Sequence, residues 1–126
     1  MTSTPPELRG LKILVVEDNF LVAELIRSLL DECGCETIGP APRVSSALAL
    51  IDDSCPDGAL LDINLAGEHC FPIAELLRER GVPFVFLTGY DDSGIIPPVF
   101  REVPRISKPF DQSTLHRVCV TTIGRH

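Results

Sequence analysis

Three carboxylates, Glu17, Asp18 and Asp62, together with the hydroxyl of Thr88 and the ammonium of Lys108, each fall at or just beyond the end of an apolar run in this sequence. If they meet, two carboxylates ~4 Å apart repel by about 4 kcal/mol at an effective dielectric near 20, so three together require a bound cation or a raised pKa. Oxygen donors select a hard ion. Mg²⁺, which sheds its waters reluctantly, suits two or three carboxylates with positions left for water and a phosphate oxygen, and nothing in the set favours zinc. Asp62, set among apolar neighbours, is then the best placed nucleophile, because an aspartate oxygen can accept a phosphoryl group as a covalent intermediate. Lys108 and Thr88 would hold the transferred oxygens, since a metaphosphate-like transition state needs only positioned positive charge and hydrogen-bond donors. Plain structural readings compete: Glu17 and Asp18 could favour the positive start of a helix, Asp62 could cap a turn and Lys108 could lie on the surface. The coincidence of these residues at four strand ends favours the chemical reading.

The elements that must position them follow from the period of the apolar residues. Residues 11–16 form a short, nearly continuous apolar run, and Leu21, Val22, Leu25, Ile26, Leu29 and Leu30 then recur at helical spacing, with Asn19 as cap and Gly34 as stop. Residues 36–39 are a weaker extended segment ending at Pro40, and Val44, Ala47, Leu48 and Ile51 mark a narrow helical stripe. Residues 59–63 read as a strand, apolar except at Asp62, followed by a polar loop over 64–68. Residues 70–80 read as a helix stopped by Gly81, and 82–87 as another strand. Between 91 and 103, Gly94, Pro97 and Pro98 leave room for one turn or irregular structure where a further helix is expected. Residues 104–107 form a short fifth strand, and Asp111 caps a last helix burying Leu115, Val118, Cys119 and Thr122. Five strands alternating with helices imply a parallel sheet covered on both faces, a three-layer α/β sandwich that binds ligands beyond the carboxyl ends of its strands.

A chain of 126 residues, 44% hydrophobic and 23% charged, fits one globular domain whose core needs no staple. The expected organisation is a flexible tail over 1–9 and one domain over 10–126, with no output domain. A formal charge of -7 argues against direct binding to nucleic acid or an anionic membrane. With no run approaching the ~18 apolar residues of a membrane span and no signal-peptide start, a cytoplasmic location is expected. Cys33, Cys35, Cys55, Cys70 and Cys119 sit mostly among apolar neighbours, as free thiols; a metal cluster built on Cys33, Cys35, His69 and Cys70 would match no zinc spacing.

From Lys12 to Gly124 the sequence resembles the receiver domain of bacterial two-component response regulators. The resemblance implies the flavodoxin-like strand order 2-1-3-4-5, Mg²⁺ bound by Glu17-Asp18 with Asp62 and the backbone carbonyl of Asn64, and Asp62 as phosphoacceptor. It also assigns Thr88 as switch hydroxyl, with Lys108 and Gly89 as further phosphate contacts. Phe86-Leu-Thr-Gly-Tyr90 resembles the Phe-x-Thr-Gly-Tyr subclass of output-less receivers paired with histidine kinases of the HWE type. Arg105 stands where the family carries an inward-rotating aromatic, and a guanidinium cannot be buried in an apolar pocket as a ring can. Tyr90 is a candidate for that switch role; a ring covering the rim of the site is the other reading.

The implied activity is a stand-alone, non-enzymatic phosphoacceptor. It takes phosphate from a kinase phosphohistidine and acts by binding a partner, by relay to a histidine phosphotransferase or as a phosphate sink. The breaker-rich stretch 91–103 is the expected moving element, and Ile95, Ile96, Val99 and Phe100 the expected partner contact, unless they simply cover the sheet. One rival is a pseudo-receiver scaffold that accepts no phosphate. Another is a Mg-dependent phosphohydrolase of the haloacid dehalogenase type, which needs an acid two residues beyond the nucleophile, where Asn64 stands. A flavin module is set aside because Glu17-Asp18-Asn19 would repel its phosphate.

Overall fold

The computed structural model describes residues 7–89 and 92–124. Its main sheet has five parallel strands, β1 (Lys12–Val16), β2 (Glu36–Ala41), β3 (Gly58–Asp62), β6 (Phe84–Thr88) and β7 (Arg105–Ser107), in the order β2-β1-β3-β6-β7. Between them in sequence lie α1 (Phe20–Glu32), α2 (Val44–Ser54) and α3 (Phe71–Glu79), and α4 (Gln112–Thr122) follows β7; together the helices cover both faces. This is the three-layer sandwich expected from the alternation of periods, in the flavodoxin-like strand order that the resemblance implied.

The period of two along the strands divides the core. Ile13, Val15, Leu60, Val85 and Leu87 pack with Ile26, Leu30, Leu115 and Cys119 of α1 and α4. Leu14, Val16, Ala59, Leu61, Phe84 and Phe86 pack with Ala47 and Ile51 of α2 and Ile73, Ala74 and Leu77 of α3. With both sheet faces covered, the central strands tolerate a charge only at their ends, which is where Asp62 lies. Gly58 opens β3 because a Cβ there would collide with Ile123, which follows α4.

Several elements depart from the sequence reading. β2 runs through Pro40 to Ala41; as an edge strand it can carry a proline, and its register with β1 shifts between Leu14 and Val16. The polar loop after Asp62 is a small antiparallel hairpin, β4 (Asn64–Leu65) and β5 (Glu68–His69), turned by Ala66 and Gly67 at φ 50° and 93°. Leu21 and Leu25 of the apolar stripe are 76% and 48% exposed, because Ala23, Ile26, Leu29 and Leu30 suffice to cover the sheet.

In place of a further helix there are two short 3₁₀ turns, Asp92–Ile95 and Pro98–Phe100. The segment is tied down more firmly than its prolines and glycine suggest. Phe100 is a core residue, 2% exposed, and not the surface contact expected of it; it stacks on Phe71 and meets Phe84 and Phe86 edge-on. The Arg78 guanidinium lies 4.7 Å from the Phe100 ring centre and donates to the Val99 carbonyl at 2.7 Å. Ile95 and Val99 do remain exposed.

The expected flexible tail is also too long. Leu8 is fully buried beside Cys33 and Cys35, its carbonyl accepts from Cys35 Sγ at 3.4 Å, and Gly10 N–H donates to Gly34 O at 2.8 Å. A lone leucine gives no periodic signal, so its anchoring role is invisible until the fold brings the α1–β2 turn beneath it. Leu8→Ala is expected to cost about 2–3 kcal/mol in urea unfolding with an unchanged denaturant slope; a loss within a few tenths would mean that the segment is not part of the core.

Candidate functional site

Each candidate side chain is delivered by a strand end. β1 continues into Glu17, whose N–H donates to Ala41 O at 3.0 Å. Glu17 Oε2 accepts from Asn19 N–H at 3.1 Å, while Asn19 caps α1 by accepting from Leu21 and Val22 N–H. This leaves Glu17 2% exposed, with Oε1 accepting from Lys108 Nζ at 2.8 Å. Asp62 closes β3 at 4% exposure, and its Oδ1 lies 3.2 Å from the same ammonium. Lys108 follows β7, and its own N–H donates to Thr88 O at 2.8 Å, which fixes the backbone from which the side chain reaches inward. Asp18 is exposed but completes the cluster: one oxygen from each of Glu17, Asp18 and Asp62 lies within 4.8 Å of the others.

Burial dominates the electrostatics. It pushes the Asp62 carboxyl up to about 7; the hydrogen bond and charge of Glu17 push the same way, and Lys108 opposes them. Burial alone would lower Lys108, but hydrogen bonding to Glu17 and the charges of Asp62 and Glu17 outweigh it and hold the ammonium above the ordinary lysine value. Lys108 is therefore charged at any physiological pH. Asp62 is a carboxyl poised to lose its proton when further positive charge arrives. Three hard oxygen donors at this spacing fit Mg²⁺, and they are the only cluster of metal-ligating side chains of this kind among the described residues. The cysteines form none: all five are free, and four are buried.

The other expected residues among those described are engaged in contacts of their own. Thr88 is 4% exposed, and its hydroxyl donates to Ile106 O at 3.4 Å. Gly89 N–H donates to Asp92 Oδ2 at 2.5 Å, and Asn64 Nδ2 donates to Asp92 Oδ1 at 2.5 Å. Arg105 is half-buried at the start of β7, and its guanidinium donates to Arg101 O at 3.0 Å, so it occupies no apolar pocket. Tyr90 lies outside the described residues. Sequence reasoning missed Asp92, 8% exposed, because an aspartate in a proline- and glycine-rich stretch signals only a turn. Cys70, read from the sequence as a buried free thiol, is one, and it is pushed up to about 12 mainly by desolvation, with the charges of Asp62 and Asp92 adding to it.

A parallel α/β sheet with buried acids and a lysine at its carboxyl edge places the chain among the doubly wound α/β domains that bind ligands beyond their strand ends. Within that class, the response regulator receiver domain profile matches residues 13–119. The chain belongs to this family, the receiver domains of two-component systems, for which aspartyl phosphorylation and Mg²⁺ are general properties. It is 35% identical over 108 residues to the sensory transduction protein LytT of Bacillus cereus, covering 83% of this chain and 44% of that protein. It is 28% identical over 110 residues to the phyllosphere-induced regulator PhyR of Methylorubrum extorquens, covering 85% and 41%. The chain thus spans less than half the length of these curated relatives. The solution structure of SdrG from Sphingomonas melonis Fr1 superposes with a TM-score of 0.79 at 36% identity, covering 90% of this chain and 95% of that one.

Proposed function

We propose that Asp62 accepts a phosphoryl group from the phosphohistidine of a histidine kinase of the HWE type in a Mg-dependent reaction. The phosphorylated chain then signals in the cytoplasm by binding a partner, by relay or by draining phosphate. The observation that carries this reading is the single ammonium of Lys108, held 2.8 Å from Glu17 and 3.2 Å from Asp62 within a cluster of three carboxylates.

The step is a displacement. An Asp62 oxygen bonds to phosphorus as the P–N bond of the phosphohistidine breaks, and that bond's electron pair stays on the imidazole nitrogen. Lys108 lies close enough to Asp62 to neutralise charge developing on the transferred oxygens, and its attachment to Glu17 keeps it in place before the phosphoryl group arrives. Mg²⁺ would be held by Glu17, Asp18, Asp62 and the Asn64 carbonyl, and when bound supplies positive charge against carboxylate repulsion and phosphoryl oxygens alike. Thr88 must leave Ile106 to reach the new phosphoryl group, which loosens a contact to β7 beside Arg105. That route needs no rotating aromatic.

Incubation with acetyl phosphate and Mg²⁺, read by intact mass, tests the proposal. One added phosphoryl group is expected in the wild-type chain and none in Asp62→Ala, in Glu17→Ala/Asp18→Ala or with the metal chelated. No gain in the wild type, or a gain that survives Asp62→Ala, would favour the pseudo-receiver scaffold.

A further inference from the structure

The geometry points to Asp92 as a resident carboxylate that holds the phosphoryl group's place and must be displaced when Asp62 is phosphorylated; this rests on the phosphoacceptor reading above. Asp92 receives two donors from the two loops that flank the acceptor. One is the Nδ2 of Asn64, two residues beyond Asp62, and the other the backbone N–H of Gly89, next to Thr88, both at 2.5 Å. These are short, charge-assisted contacts, about twice as strong as neutral ones. They place an anion on donors that an incoming phosphoryl oxygen would need. A Cβ at Gly89 would stand 3.2 Å from Asp92 Oδ2, so the backbone there closes directly onto the carboxylate. The charges of Asp62 and Asp92 both act on the buried Cys70 thiol.

Two forces then act against Asp92 on phosphorylation. The phosphoryl group adds roughly two negative charges near a carboxylate that is 8% exposed, and its oxygens compete for the Gly89 N–H. Asp92 is also the first residue of the 3₁₀ turn that leads to the exposed Ile95 and Val99. Displacing it turns a local charge event into movement of an apolar surface segment. Asp92 is a positioning residue: it acts through Gly89 and Asn64 and takes no part in bond making.

The test compares the whole chain with Asp92→Ala and Asp92→Asn by amide NMR, free and with Mg²⁺ and beryllofluoride, a phosphoryl mimic. Before any ligand is added, the Gly89 amide proton is expected to move upfield in Asp92→Ala and by less in Asp92→Asn, where one uncharged acceptor remains. Beryllofluoride is expected to bind Asp92→Ala roughly tenfold more tightly than wild type, the factor that one charge-assisted hydrogen bond is worth, with Asp92→Asn between. Should Asp92→Ala fail to fold, Asp92→Asn carries the same comparison with smaller changes. A Gly89 resonance that stays put, or equal or weaker binding in the variants, overturns the proposal. Failure of the phosphoacceptor reading looks different: no form binds beryllofluoride although Gly89 has moved, and the proposal falls with it.

Discussion

Lys108→Ala is expected to slow phosphorylation of Asp62 by acetyl phosphate by roughly 10²- to 10³-fold, the usual effect of removing one preorganised donor from a site where charge develops. It is also expected to destabilise the metal-free chain by about 2–4 kcal/mol at pH 8, because breaking a buried ion pair strands its partners. The side chain of Glu17 is 1% exposed and that of Asp62 6%, so neither can turn to water; Lys108 itself is 25% exposed, which holds the cost toward the lower part of the range for buried pairs. Mg²⁺ separates the two roles. Its binding should restore much of the stability, since any cation on those carboxylates favours the folded state, but not the rate. Lys108→Arg keeps the charge on a planar, bulkier group and should recover stability better than rate. Phosphorylation kinetics and urea unfolding, each with and without Mg²⁺, measure both. Unchanged values in Lys108→Ala would mean that the ammonium is a surface group.

The layout of this site was legible because a parallel sheet buried on both faces leaves little freedom for polar residues inside its strands. Asp62 stands out in an otherwise apolar run, and Asn19 and Asp111 announce helix starts by side-chain chemistry that the structure reproduces as N-cap hydrogen bonds. What was not legible depends on groups far apart in sequence. The Asn64–Asp92 bond joins positions 28 apart, and Leu8 finds its pocket only after α1 has turned back. The Thr88 hydroxyl has two directions open to it, and only the packing of β6 against β7 decides that it faces Ile106. Arg105, which stands where the family carries an aromatic ring, donates to the Arg101 carbonyl, a partner four residues away on the same segment.

Asp62→Asn is expected to abolish phosphorylation and yet to make the metal-free chain more stable at neutral and alkaline pH. The Asp62 carboxyl is raised from 3.8 to about 7 in the folded state, first by burial and then by Glu17. A carboxyl whose folded pKa exceeds its unfolded one binds its proton more tightly when folded, so stability falls as pH rises through that window. About three units correspond to an upper limit of roughly 4 kcal/mol, a net figure in which the opposing effect of Lys108, 3.2 Å away, is already contained. The variant should therefore match wild type near pH 4, gain between about pH 4 and 7, and lead by roughly 2–4 kcal/mol above pH 8, as read from urea unfolding at each pH. Mg²⁺ should close most of the gap from the wild-type side, because a cation among the carboxylates stabilises the ionised form that burial disfavours. A variant less stable than wild type at pH 8 without metal would show that Lys108 already satisfies the carboxylate. The same arrangement bears on reactivity: an acid held at this cost gains when its charge is shared with a cation or capped by a phosphoryl group, so stability given up in the resting state favours capture of phosphorus.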